Sequence, residues 1–137
     1  MSQAMPPGRL IKELQQLVRQ AGDAALADVG LSVSQYAVLY ALVHEPDLTA
    51  AELARRCFVT RQSLGEMVNS LTERGLVSAG EVAGRSRPIR LTSAGRAKVR
   101  AAERRMATVE DQLVAGFSAK EKSTLVRLME RCAENLR

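Results

Sequence analysis

The sequence predicts a mainly α-helical domain carrying one small β-hairpin, and three observations predict it. Aromatics are scarce, with two Phe, two Tyr and no Trp in 137 residues, while Leu, Ala, Val and Arg dominate, a composition that favours helices packed on helices. Apolar residues recur at helical spacing through most of the chain, and several of the runs open on a Ser or Thr that can cap a helix. Between two of those runs lie the short apolar triplets Leu76–Ser78 and Ile89–Leu91, separated by a segment that Gly80, Gly84 and Pro88 punctuate as a turn.

The length fits one domain, taken as residues 9–137, and Pro6, Pro7 and Gly8 mark residues 1–8 as a disordered lead-in. No stretch offers about 18 consecutive apolar residues and the N-terminus lacks an apolar signal core. A soluble, cytoplasmic protein with no membrane partner is expected.

The first helix should run from about Arg9 to Ala27, with Leu10, Leu14, Leu17, Val18 and Ala21 on one face, and Gly30 breaks the chain after it. Ser32 and Gln35 then make a capping box, in which the Ser side chain and the Gln three residues on satisfy two otherwise unpaired amides. The run at 36–43, YAVLYALV, reads as a buried strand by periodicity alone. The cap before it and Pro46 after it decide for a buried helix. Thr49 and Glu52 form a second capping box, opening a short helix to about Cys57. Thr60 caps the fourth helix, with Val59 and Leu64 placed for a hydrophobic staple. Leu64, Val68 and Leu71 form its core face with Met67 beside it, Gln62, Glu66, Asn69 and Glu73 point away, and Gly75 ends it. Beyond the hairpin a fifth helix should run from Ser93 to about Phe117. Ser118 and Glu121 make a third capping box for a last helix to Leu136, striped by Leu125, Leu128, Met129, Cys132 and Leu136. That stripe needs cover, either from the first helix of the same chain or from a second chain.

Helix, turn, helix, strand, arginine-rich hairpin, strand is the order of a winged helix-turn-helix, here residues 32–92 within a six-helix domain. The charge distribution agrees. The chain carries +5 overall, but residues 1–48 have a net charge of −2, residues 49–105 of +7, and residues 106–137 balance. A basic block coincident with the motif points to a polyanionic partner, double-stranded DNA. Arg61 and Gln62 are suited to base edges, and Thr60 and Ser63 to phosphates. Arg85, Ser86, Arg87 and Arg90 charge the hairpin, where a tip arginine suits a narrow minor groove or the phosphates.

Other chemistry finds little to stand on. There is one histidine, no Gly-rich phosphate loop and no Cys/His spacing for a metal, so neither an enzyme nor a bound cofactor is expected. Glu110 and Asp111 are adjacent acids on a solvated helix. Cys57 and Cys132 make no disulfide framework and read as reduced core thiols.

The segments ELARRCFVTRQSLGEMVNSLTERGLV at 52–77 and GRSRPIRLTSAG at 84–95 resemble the MarR family of bacterial transcription regulators, and the resemblance spans residues 9–136. It implies an obligate homodimer, with the helices at about 9–27 and 93–136 interlocking the two chains. It also implies two winged lobes that face successive grooves of a pseudo-palindromic operator, with half-sites about 10 base pairs apart, most often as a repressor. By the resemblance, Thr60, Arg61, Gln62 and Ser63 open the recognition helix, which also carries Glu66 and Asn69. Arg85, Ser86 and Arg87 form the wing tip, and Ser34 meets a phosphate.

Three positions depart from the family pattern. Ala83 replaces an Asp that precedes the tip arginines. Phe58 replaces a Gly in the turn, which implies another turn geometry, and Glu66 replaces a basic residue, where an acid suits a cytosine amino group. These departures favour the alternative, a non-DNA-binding interaction module that kept the fold. The resemblance also implies release from DNA by small aromatic or lipophilic acids, as in many relatives. Tyr36, Tyr40 and His44, four residues apart on the second helix, are the candidate wall for such an effector, although tyrosines on a buried helix also serve as ordinary core groups. Arg55 and Arg56 are candidate partners for its carboxylate.

Overall fold

The structure is a computed structural model and describes residues 5–78, 81–82, 85–86 and 88–137, with the segments 81–82 and 85–86 given by their backbone. Six helices follow one another: α1 (Pro7–Leu26), α2 (Val33–His44), α3 (Ala50–Arg56), α4 (Arg61–Glu73), α5 (Ser93–Leu113) and α6 (Ala119–Leu136). Between α4 and α5 lie β1 (Val77–Ser78), β2 (Glu81–Val82), β3 (Arg85–Ser86) and β4 (Arg90–Leu91). Among the described residues no single helix is long and apolar enough to cross a membrane.

Local chemistry sets most of the boundaries. All three capping boxes form: Ser32 with Gln35, Thr49 with Glu52, and Ser118 with Glu121, each with both reciprocal hydrogen bonds. Asp23 on α1 adds a bond from another element, its Oδ1 accepting from the Val33 amide at 2.8 Å, so α1 helps to hold the start of α2. Thr60 accepts from the Ser63 amide, while Val59 and the buried Leu64 pack into the core as a staple requires. The run at 36–43 lies within a helix, as its cap requires.

Two boundaries differ from the sequence reading. The first helix begins at Pro7, inside the supposed lead-in, because the fixed φ of proline suits the first helical turn and its missing N–H has no helical partner there. The fifth helix stops at Leu113 rather than Phe117. Gly116 takes a left-handed φ of 83° that turns the chain toward the Ser118 cap. The hairpin is also longer than the two triplets: β1 pairs with β4, and a second antiparallel ladder joins β2 to β3, with Val82 opposite Arg85.

One core gathers α1 to α5 and the hairpin base. Leu26, Leu39, Leu53, Leu64, Leu71, Val38 and Val99 are its most deeply buried members. The last helix stands apart from it. No residue of α6 is buried, and among the described residues α6 makes no substantial packing with any other element. The stripe therefore does not fold back on α1, whose own Leu10, Leu14 and Leu17 remain exposed. Cys132 is exposed for the same reason, so it is not the core thiol that its apolar neighbours suggested. Cys57 does pack on the core, and burial pushes its thiol pKa up, which disfavours the reactive thiolate.

The turn between α3 and α4 also departs from expectation. Phe58 stands where the resemblance puts a Gly. It takes the left-handed conformation itself, at φ 56°, with its ring 95% exposed. A side chain there strains the backbone by about 1–2 kcal/mol, and this ring recovers almost nothing by burial. Phe58→Gly should therefore raise stability by about 0.5–1 kcal/mol after the added freedom of the unfolded chain. Phe58→Ala, which keeps the strain, should change it by less than about 0.5 kcal/mol in the same urea titration.

Candidate nucleic-acid interface and the adjoining cleft

The helix-turn-helix is α3, the Phe58 turn and α4. Leu64, Val68 and Leu71 are buried beneath α4 and seat it on the core. Its outward side presents Arg61, Gln62, Glu66 and Asn69, all exposed, with Thr60 at the cap and Ser63 half-buried in the first turn. The Thr60 hydroxyl accepts from the Ser63 amide at 3.0 Å, so this oxygen is committed to starting the helix. The N-terminal end therefore offers a guanidinium, a carboxamide, the hydroxyl protons of Thr60 and Ser63 and the partial positive charge of the helix terminus. That set suits a phosphate backbone with base edges beneath it.

The other expected contacts are placed less uniformly. Ser34, in the first turn of α2, accepts from Arg19 Nη1 of α1 at 3.2 Å. Arg90 on β4 donates to Asp47 in the α2–α3 loop at 2.8 Å, and this partly neutralised pair ties the wing base to the body. Asp47 had no role in the sequence reading. Arg87 and Ala83 lie outside the described residues, and Arg85 and Ser86 are fixed as backbone in β3.

Beside this lobe, α2 and α5 enclose a cleft of about 670 Å³. Tyr36, Tyr40 and His44 form one wall as a ladder, with ring centroids 5.8 and 4.3 Å apart in sequence. They face Glu103, Met106 and Glu110 of α5 across it. The tyrosines are neither fully buried nor simply core. Burial, then the charge of Glu103, the neighbouring Tyr40 and Glu110, pushes the Tyr36 phenol up to about 12, so it is a neutral hydrogen-bonding group at any physiological pH. Arg56 also reaches the cleft, but its Nε donates to Glu45 Oε2 at 2.8 Å, and Arg55 does not line it. Sequence reasoning did not place Glu103 or Glu110 here, because only the packing of α5 on α2 brings them to the tyrosines.

The sequence pattern of the MarR family matches residues 29–87, which hold the helix-turn-helix and most of the wing. The HTH-type transcriptional repressor Rv2887 of Mycobacterium tuberculosis is 31% identical over 128 residues, covering 92% of each chain. The chain belongs to the MarR family. This MarR chain also resembles two solved structures of the mycobacterial MarR family protein Rv2887. One is a complex with p-aminosalicylic acid, at 29% identity and TM-score 0.80, covering 94% of this chain and 99% of that one. The other is a complex with DNA, at 28% identity and TM-score 0.79, covering 94% and 98%.

Proposed function

We propose that this MarR chain is a sequence-specific DNA-binding transcriptional repressor. It reads a pseudo-palindromic operator as a homodimer and releases it when a small aromatic molecule enters the α2–α5 cleft. The observation that carries the reading is α4 itself, a capped helix seated by three buried side chains, with a polar outer face whose first turn offers Arg61 and Gln62. The solved relative in complex with DNA supports the partner, and its complex with p-aminosalicylic acid supports an aromatic effector. Dimerisation is supported by the apolar faces that α1 and α6 leave uncovered. No catalytic role is assigned, and the relatives' names are those of regulators.

Selection of bound sequences from random duplexes tests this directly. Binding to the selected operator should weaken steeply with salt, because each neutralised phosphate releases a counterion. Arg61→Ala should cost about 1–3 kcal/mol and relax the preference at one base position if it reads a base. A uniform loss across all sequences assigns Arg61 to phosphate instead. Equal affinity for selected and random DNA, insensitive to salt, would leave the interaction-module alternative standing.

A further inference from the structure

The α2–α5 cleft carries a charge that narrows the ligand it accepts. Its aromatic wall brings Tyr36, Tyr40 and His44 together, and tyrosine rings attract cations through their quadrupoles. Opposite, Glu103 and Glu110 of α5 have no ion-pair partner among the described residues. The arginine that lines the cleft, Arg56, is paired through its Nε with Glu45, which also lines it, so this pair adds no net charge. Two free carboxylates beside a ladder of rings, in a concave site that focuses their field, make a half-cage for a positively charged aromatic group. The same field acts on the Tyr36 phenol, which the two carboxylates help to keep protonated.

We infer that this cleft takes an aromatic cation and prefers it to an aromatic acid of the same shape. The inference rests on the effector reading above and gives that effector a sign of charge. An acid would bring its carboxylate toward two like charges, with the one lining arginine already paired to Glu45. A protonated amine or quaternary nitrogen meets carboxylate and ring face together. The solved relative was captured with an acid, so a preference for a cation would set this chain's ligand apart from that one.

The test is calorimetric titration of the full chain with two naphthalene probes of opposite charge, 1-naphthylmethylammonium and 1-naphthylacetate. The cation should bind about tenfold tighter or better. In Glu103→Gln/Glu110→Gln, of the same shape but uncharged, that ratio should fall to about threefold or less. Each single variant should give an intermediate ratio, which keeps the test informative if the double variant folds poorly. Equal or inverted preference, a preference untouched by the Gln variants, or no binding of either probe would overturn the inference. Operator binding is measured separately by gel shift without probe. Its loss would strike the regulator reading while leaving the charge preference to stand or fall alone.

Discussion

Replacing Gly95 by alanine is expected to destabilise the protein by about 3 kcal/mol, far more than one methyl group suggests. Gly95 is buried in the first turn of α5, where its amide donates to the Thr92 hydroxyl at 3.0 Å. That hydroxyl in turn donates to the Gly75 carbonyl at 2.6 Å, and the Thr92 amide to Leu76 O at 3.1 Å. One threonine thus locks the end of α4, the first wing strand and the start of α5 into a single joint. A Cβ on Gly95 would sit 2.0 Å from Leu76 O and 3.1 Å from Leu91 Cδ2. Because the nearest atom is backbone, relief means moving the strand and breaking the Thr92 bond, not turning a side chain. Gly65 on α4 is the control, since nothing lies within 4 Å of a Cβ there. Gly65→Ala should gain about 0.5–1 kcal/mol from helix propensity alone. Urea unfolding of both variants checks the pair, and a loss below about 1 kcal/mol at Gly95 would mean that the joint yields more easily than its geometry implies.

Gly95 illustrates how much of this molecule was legible before its structure. Leu91, Thr92 and Gly95 end the 84–95 segment that carries the family resemblance, but the reason for the glycine lies in a close approach that no local pattern encodes. Where the physics is local, sequence reasoning succeeded. Ser32 with Gln35, Thr49 with Glu52 and Ser118 with Glu121 each need only a three-residue spacing, and each capping box forms. Leu64, Val68 and Leu71 sank into the core because helical periodicity leaves them no other face.

The misses share a different cause. Phe58 occupies a left-handed position that its residue type argues against, held there by the turn that joins two well-capped helices. The Arg90–Asp47 pair joins residues 43 positions apart, so the charge read as free for DNA has a partner that no spacing rule connects. Glu110 reads with Asp111 as an acid on a solvated helix, and only tertiary packing brings it and Glu103 to Tyr36. Helix identity was therefore written in short-range chemistry, and the character of the cleft in contacts between distant elements.

The largest functional effect is expected where the single chain looks least finished. Leu17 on α1 and Met129 on α6 are 53% and 50% exposed, and they lie among further exposed apolar side chains, Leu10 and Leu14 on α1 and Val126 and Leu128 on α6. An aspartate at either position removes little intrachain packing, so Leu17→Asp and Met129→Asp should keep the helical content and the cleft of the parent protein. In a dimer the same charge would be forced into an apolar interface without a partner. Each variant should then run as a monomer by light scattering. With one recognition helix per particle instead of two, the second half-site is no longer bound at high effective concentration, and operator affinity should fall about 100- to 10,000-fold. Affinity for a lone half-site should change by less than about threefold, since α4 and the wing are untouched. A variant that stays dimeric, or a monomer that still binds the full operator at parental affinity, would show that the uncovered faces of α1 and α6 do not join the two halves of the DNA-reading unit.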